Sequence, residues 1–287
     1  MQKKVTYTQI SHLFLFPEGE KNMLDFEEIF EFDKLKEMFD FRYVYTNPWF
    51  MVLLIVALIG VGVGLYFLSR HLDKKRGIER KTGTKELVFG AICIALSFVL
   101  SMIRLFRLAN AGSITLASIF PIALYCYIFG FNKSMLVCFV FSLLNFCQGP
   151  YVISVWSALL DYLLPYLALS LIGIFAVNPK TFNAEGPALK KHGKFFIGLS
   201  VYFVVRLFSH TLAGVLFWSE GVDFWIFSGD LVGWASFAYS ITYNLAYLLP
   251  DTLVAGAVAL ILFSSKSVNR EIAKLISTSV KKTVNAQ

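Results

Sequence analysis

Asp161 is the only charged residue between Tyr151 and Val177 in an apolar run that includes Tyr162 and Pro165. At a helical rise of ~1.5 Å per residue, the carboxylate lies roughly 15 Å from Tyr151, near mid-bilayer. A charge at that depth costs several kcal/mol unless it is paired or solvated, so it marks a functional site. Two other apolar runs supply partners, one carrying Arg206, His210 and Trp218 and the other Tyr239 and Asn244.

Arg206, His210, Gly214 and Trp218 recur every four residues and form one slowly drifting stripe on a helix. The stripe offers a cation, an imidazole, a position without a side chain and an indole. The blank at Gly214 would let a flat group approach the backbone. Alone, Trp218 reads as an interfacial anchor and His210 as a packing histidine; as a stripe they read as a site. Arg206, at a similar depth, is the candidate charge partner of Asp161. Pro165 removes the amide that would bond the Asp161 carbonyl, so a bend is expected there. Tyr151 and Tyr162 add aromatic faces, and the amide of Asn244 needs partners from packing or from a ligand. On a straight helix Tyr239 and Asn244, five residues apart, do not share a stripe. A carboxylate, an imidazole, an amide and several aromatics in one cavity suit a flat, nitrogen-rich, cationic ligand.

The elements that must position these groups are transmembrane helices. The chain is 57 % hydrophobic and 16 % charged, the composition of an integral membrane protein. Apolar segments lie at about 49–69, 86–106, 114–130, 134–148, 152–177, 195–218 and 235–264. This predicts an all-α membrane protein, with six core helices in 86–265 preceded by an additional transmembrane helix over 48–70. The net charge of +7 is uneven. Basic residues crowd the loop at 71–85 and the tail at 266–287, whereas the loop at 219–230 carries only Glu220, Asp223 and Asp230. That pattern fits membrane topology rather than nucleic-acid binding, with the basic loops and the C-terminus cytoplasmic. Residues 1–47 read as an extracytoplasmic extension, with an interfacial amphipathic helix or a partly disordered tail over 23–39. Gly60 and Gly64 in the first span have helix-contact spacing.

The four cysteines sit in or beside apolar runs without metal-ligand spacing, and no phosphate loop or HExxH motif occurs, so no metal or cofactor is expected. Two other classes use the same residues. A paired-carboxylate protease would need Asp161 and Asp251, but Asp251 lacks a protease-like context. A proton-coupled carrier would use Asp161, Arg206 and His210 as a relay.

At these residues the chain resembles the thiamine-specific substrate-binding subunits of energy-coupling-factor (ECF) transporters. Tyr151…Asp161-Tyr162 matches that family's fourth helix, where the carboxylate is usually Glu. Arg206…His210…Gly214…Phe217-Trp218 matches the fifth, and Tyr239-Ser…Asn244 the sixth. The resemblance covers about residues 84–264. It implies a six-helix binding subunit of the prokaryotic plasma membrane that performs no chemistry and takes up vitamin B1. The thiamine rings would be held by Asp161, His210, Tyr239 and Asn244, with Trp218, Tyr151 and Tyr162 packed around them. It also implies an ECF transmembrane coupling subunit and two ATPase subunits as partners, with docking through Ala91 and Ala95. The family's aromatic before the second helix has no counterpart in Asn110-Ala-Gly-Ser-Ile114, and Trp156 is a candidate substitute.

Overall fold

A computed structural model describes residues 48–75, 83–108, 112–148, 154–179, 181–182 and 187–278. The expected interfacial helix over 23–39, the extension at 1–47 and Tyr151 lie outside the described residues.

The centre of the fold is its shortest core helix. In α3 (Phe120–Phe129) every side chain is apolar or aromatic, and Ile122, Ala123, Cys126 and Ile128 are fully buried. A helix that is hydrophobic all round belongs inside a bundle. Around it pack α2 (Thr84–Met102), α4 (Phe131–Phe146), the composite helix α5 (Val155–Phe175) and α7 (Gly233–Ser264), with α6 (Ala188–Phe217) against α5 and α7. A further helix, α1 (Pro48–Lys75), precedes this core and touches α4, and an amphipathic α8 (Lys266–Thr278) follows it. Among the described residues, α2, α5, α6 and α7 are long and apolar enough to cross a membrane. The fold is thus the predicted helical membrane bundle.

Two departures from the predicted spans matter for the site. The run at 86–106 leaves the helix at Met102, and that at 114–130 becomes helical only at Phe120. Between them β1 (Arg104–Arg107) and β2 (Ser113–Thr115) pair as an antiparallel hairpin. A second hairpin, β3 (Val222–Phe224) with β4 (Phe227–Gly229), fills the connection between α6 and α7. Strands of three or four residues are too short to show an alternation in the sequence.

At the opposite end an imidazole fastens three helices. His192 sits at a break in α6 (φ −114°, ψ 18°) and stacks on Phe263 of α7 with centroids 4.0 Å apart. Its Nε2 pairs with Asn269 Oδ1 of α8 at 2.7 Å, and Asn269 Nδ2 donates to the Phe263 and Ser265 carbonyls. Those carbonyls are among the groups a helix end leaves unsatisfied.

Candidate binding site

Asp161 lies on a local change of helix geometry. The α-helical turn Val155–Ala158 passes into a π-helical turn, Leu159–Leu163, where the Leu164 amide donates to the Leu159 carbonyl five residues back. An α-helical turn carrying Pro165 follows, then a 3₁₀ segment. Pro165 lacks an amide, and a π turn is a usual local answer to a disturbed hydrogen-bond ladder. Neighbouring helices satisfy two carbonyls here. Ser209 Oγ of α6 donates to Leu160 O at 2.6 Å, and Ser142 Oγ of α4 donates to Tyr162 O at 3.1 Å. The bend expected from Pro165 is therefore a pinned bulge that sets the carboxylate's direction.

The carboxylate is bracketed. His210 Nδ1 lies 3.1 Å from Asp161 Oδ1, and Trp218 Nε1 donates to Oδ2 at 3.0 Å. His210 Nε2 is buried and has no hydrogen-bond partner among the described residues. Trp218 closes the C-terminus of α6, where Ser219 Oγ donates to the Gly214 and Val215 carbonyls. That cap fixes where the indole begins.

These groups open onto a cavity of about 710 Å³, which Tyr162, Tyr239 and Asn244 also line. Its wall on α7 is a ladder, because Tyr239, Tyr243 and Tyr247 recur every four residues with centroids 5.8 and 5.6 Å apart. Tyr247 meets the His210 ring edge-on at 6.2 Å and donates its hydroxyl to Asn244 Oδ1 at 2.8 Å. Asn244 Nδ2 donates to Ser240 O. Tyr239 and Asn244 both face the cavity despite their five-residue spacing. Tyr162 packs edge-on against Phe146.

Three expectations are corrected. Arg206 is not the charge partner of Asp161: its Nη1 donates to Asp251 Oδ2 at 3.1 Å and to the Tyr202 hydroxyl at 3.0 Å. Asp251 also accepts from Thr115, so the charge that the protease reading would recruit is already neutralised. Gly214 lines the cavity, but the space left by its missing side chain is filled by Ser240 Oγ, which donates to Thr211 O. The glycine instead allows close approach of α6 and α7. Trp156 is buried and does not line the cavity.

Ladder residues Tyr243 and Tyr247 were missed by sequence reasoning, although the i, i+4, i+8 spacing from Tyr239 was visible. Tyr243 also holds the first hairpin, because its hydroxyl accepts from the Gly112 amide at 2.9 Å. A Cβ at residue 112 would clash with Tyr243 and Tyr247.

The chain matches the Thiamine transporter protein family (Thia_YuaJ) over residues 87–270. It belongs to that family. Thiamine transporter ThiT of Bacillus subtilis is 24 % identical over 189 residues, spanning 60 % of this chain and 87 % of that protein. The solved structure of ThiT from Listeria monocytogenes superposes with a TM-score of 0.54 at 26 % identity, covering 64 % of this chain and 96 % of that one. The fold and the resemblance of the motifs agree: this member of the thiamine transporter family is a multi-pass membrane protein and not an enzyme. The hairpins and the tyrosine ladder fall within the matched region. The whole of α1 precedes it.

Proposed function

We propose that the cavity is the thiamine site, with Asp161 as its anchor. The observation that carries this reading is the bracketed carboxylate, held by His210 and Trp218 at the head of a wall of tyrosines. A thiazolium cation is attracted both to a carboxylate in low dielectric and to aromatic faces. An aminopyrimidine presents an amino donor and ring-nitrogen acceptors, which suit Asp161, the unpartnered His210 Nε2 and the Asn244 amide. A volume of about 710 Å³ falls in the range of sites for molecules of this size. Tyr162, Tyr239 and Trp218 pack around the rings; Tyr151, which the resemblance adds to this set, lies outside the described residues.

The chain supplies binding, and the energy comes from partners: an ECF transmembrane coupling subunit and two ATPase subunits. Ala91 and Ala95 lie exposed on α2, one turn apart among exposed Leu87, Val88, Ile92 and Leu96. Small residues at that spacing permit close helix approach, which suits docking of the coupling subunit. The positive charge of the 71–85 loop and of the tail favours a cytoplasmic C-terminus, with the cavity mouth outside.

Titration of purified protein with thiamine, read by quenching of tryptophan fluorescence, tests the substrate. Saturable quenching in wild type and its loss in Asp161→Ala are expected. Failure to bind at micromolar thiamine, with another ring-bearing vitamin binding instead, overturns the assignment. Co-purification of two ATPases and a membrane subunit tests the energy source.

A further inference from the structure

The β3–β4 hairpin is a built unit with one face that nothing among the described residues covers. Its base is closed by the Gly221 amide donating to Asp230 Oδ1 at 2.9 Å and the Leu231 amide donating to Ser219 O at 2.8 Å. Its inner face is aromatic: Phe224 packs on Tyr243 with centroids 5.1 Å apart, and Phe227 on Tyr239 at 5.8 Å. Between them Trp225 and Ile226 form the two-residue turn, 81 % and 55 % exposed.

Trp225 has φ +53°. Hairpins of this length ordinarily give such a position to glycine or asparagine, because a side chain there is strained. The largest side chain of all thus occupies a place that disfavours any side chain, and it makes little contact with the described residues. Such an outlier points to a function for the residue.

The depth of the tip indicates what covers it. Tyr239 and Tyr243 lie six and ten residues into α7, roughly 9 and 15 Å along its axis from Gly233. A hairpin packed on both rings folds back along α7 instead of standing off into water. Its tip then lies beside the outer turns of a membrane-crossing helix that opens with Trp234, itself 40 % exposed. Indoles favour the boundary between headgroups and acyl chains.

We propose that Trp225 and Ile226 insert into the headgroup–acyl boundary of the leaflet on the cavity's side, making the hairpin a bilayer-anchored cover for the tyrosine ladder. The insertion stands on the hairpin alone; the covering role rests on the cavity being the thiamine site.

The test uses the full chain in liposomes with and without phosphatidylcholine brominated near the headgroup, comparing wild type with Trp225→Phe. The difference between the two emissions isolates Trp225 from the other four tryptophans. Brominated lipid is expected to quench that component by at least half, with aqueous iodide quenching it weakly. Quenching by iodide but not by lipid overturns insertion, and so does a component reached by neither, which would mean a second copy or another protein covers the tip. Trp225→Gly suits the backbone at φ +53° and so keeps the turn. Thiamine release from this variant in liposomes is expected to be several-fold faster; an unchanged rate overturns the covering role. If wild type binds no thiamine, the substrate assignment fails while the quenching result still decides insertion.

Discussion

Thr115 and Asp251 are 136 residues apart and joined twice, the Thr115 amide and hydroxyl donating to one carboxylate oxygen at 2.9 and 2.7 Å. The other oxygen holds Arg206. One buried carboxylate thereby ties the first hairpin to α6 and α7. Removing it leaves a buried guanidinium unpaired, which costs about 3–5 kcal/mol. Asp251→Ala is expected to lower the thermal midpoint in detergent by on the order of 10 °C. Adding Arg206→Met should recover most of that loss, since replacing both charges removes the unpaired one. Thr115→Val, which deletes one hydroxyl, should cost about 1 kcal/mol. Equal midpoints for wild type and Asp251→Ala would show that the pair does not hold the elements together.

Asp161→Asn keeps the shape of the anchor and removes its charge. Losing a buried charge-assisted contact costs on the order of 3 kcal/mol, so thiamine affinity should fall about 100-fold. Isothermal titration in detergent measures it. Pyrithiamine, in which a pyridinium replaces the thiazolium, shares the aminopyrimidine and the ring cation, so it should lose affinity in parallel.

The contact between Gly214 and Ser240 admits no methyl group. Gly214→Ala should force α6 and α7 apart, costing about 1–3 kcal/mol of stability and weakening thiamine binding through displaced His210 and Trp218. The double variant Gly214→Ala/Ser240→Gly makes room for the methyl and should restore both. If the single variant melts and binds as wild type, the helices are not in the contact described.

Bulk on the exposed face of α2 separates binding from transport. Ala91→Trp and Ala95→Trp should leave thiamine affinity in detergent within about twofold of wild type, as neither residue lines the cavity. Vitamin uptake by cells carrying either variant should be abolished. Uptake at the wild-type rate would remove the docking role.

The sequence carried the helical class and most of the site, because intramembrane polar residues are rare and repeat at helical spacing. Asp161 was readable as a lone charge in an apolar run, His210 and Trp218 as a stripe at helical spacing, and Asn244 as a lone amide in the run that carries Tyr239. The partner of Arg206 was not: two acidic residues, Asp161 and Asp251, lie in apolar runs, and depth along separate helices cannot choose between them. Gly214 was misread because a missing side chain looks the same whether it admits a ligand or a neighbouring helix. The hairpins were hidden because strands of three or four residues are too short to show an alternation, the first at the ends of two apolar runs and the second inside a loop. Tyr243 and Tyr247 were visible as a repeat, yet aromatic repeats are also what ordinary packing produces.

The π turn at Leu159–Leu163 amounts to one residue more than an α-helix needs over the same length. Deleting a residue there would let the segments on both sides keep their neighbours while the bulge itself returns to a regular α-helix. The carboxylate would then leave His210 and Trp218 without any substitution at the site. Ligand choice in this bundle can therefore evolve by the gain or loss of a single codon, a route that a strictly α-helical wall would not offer.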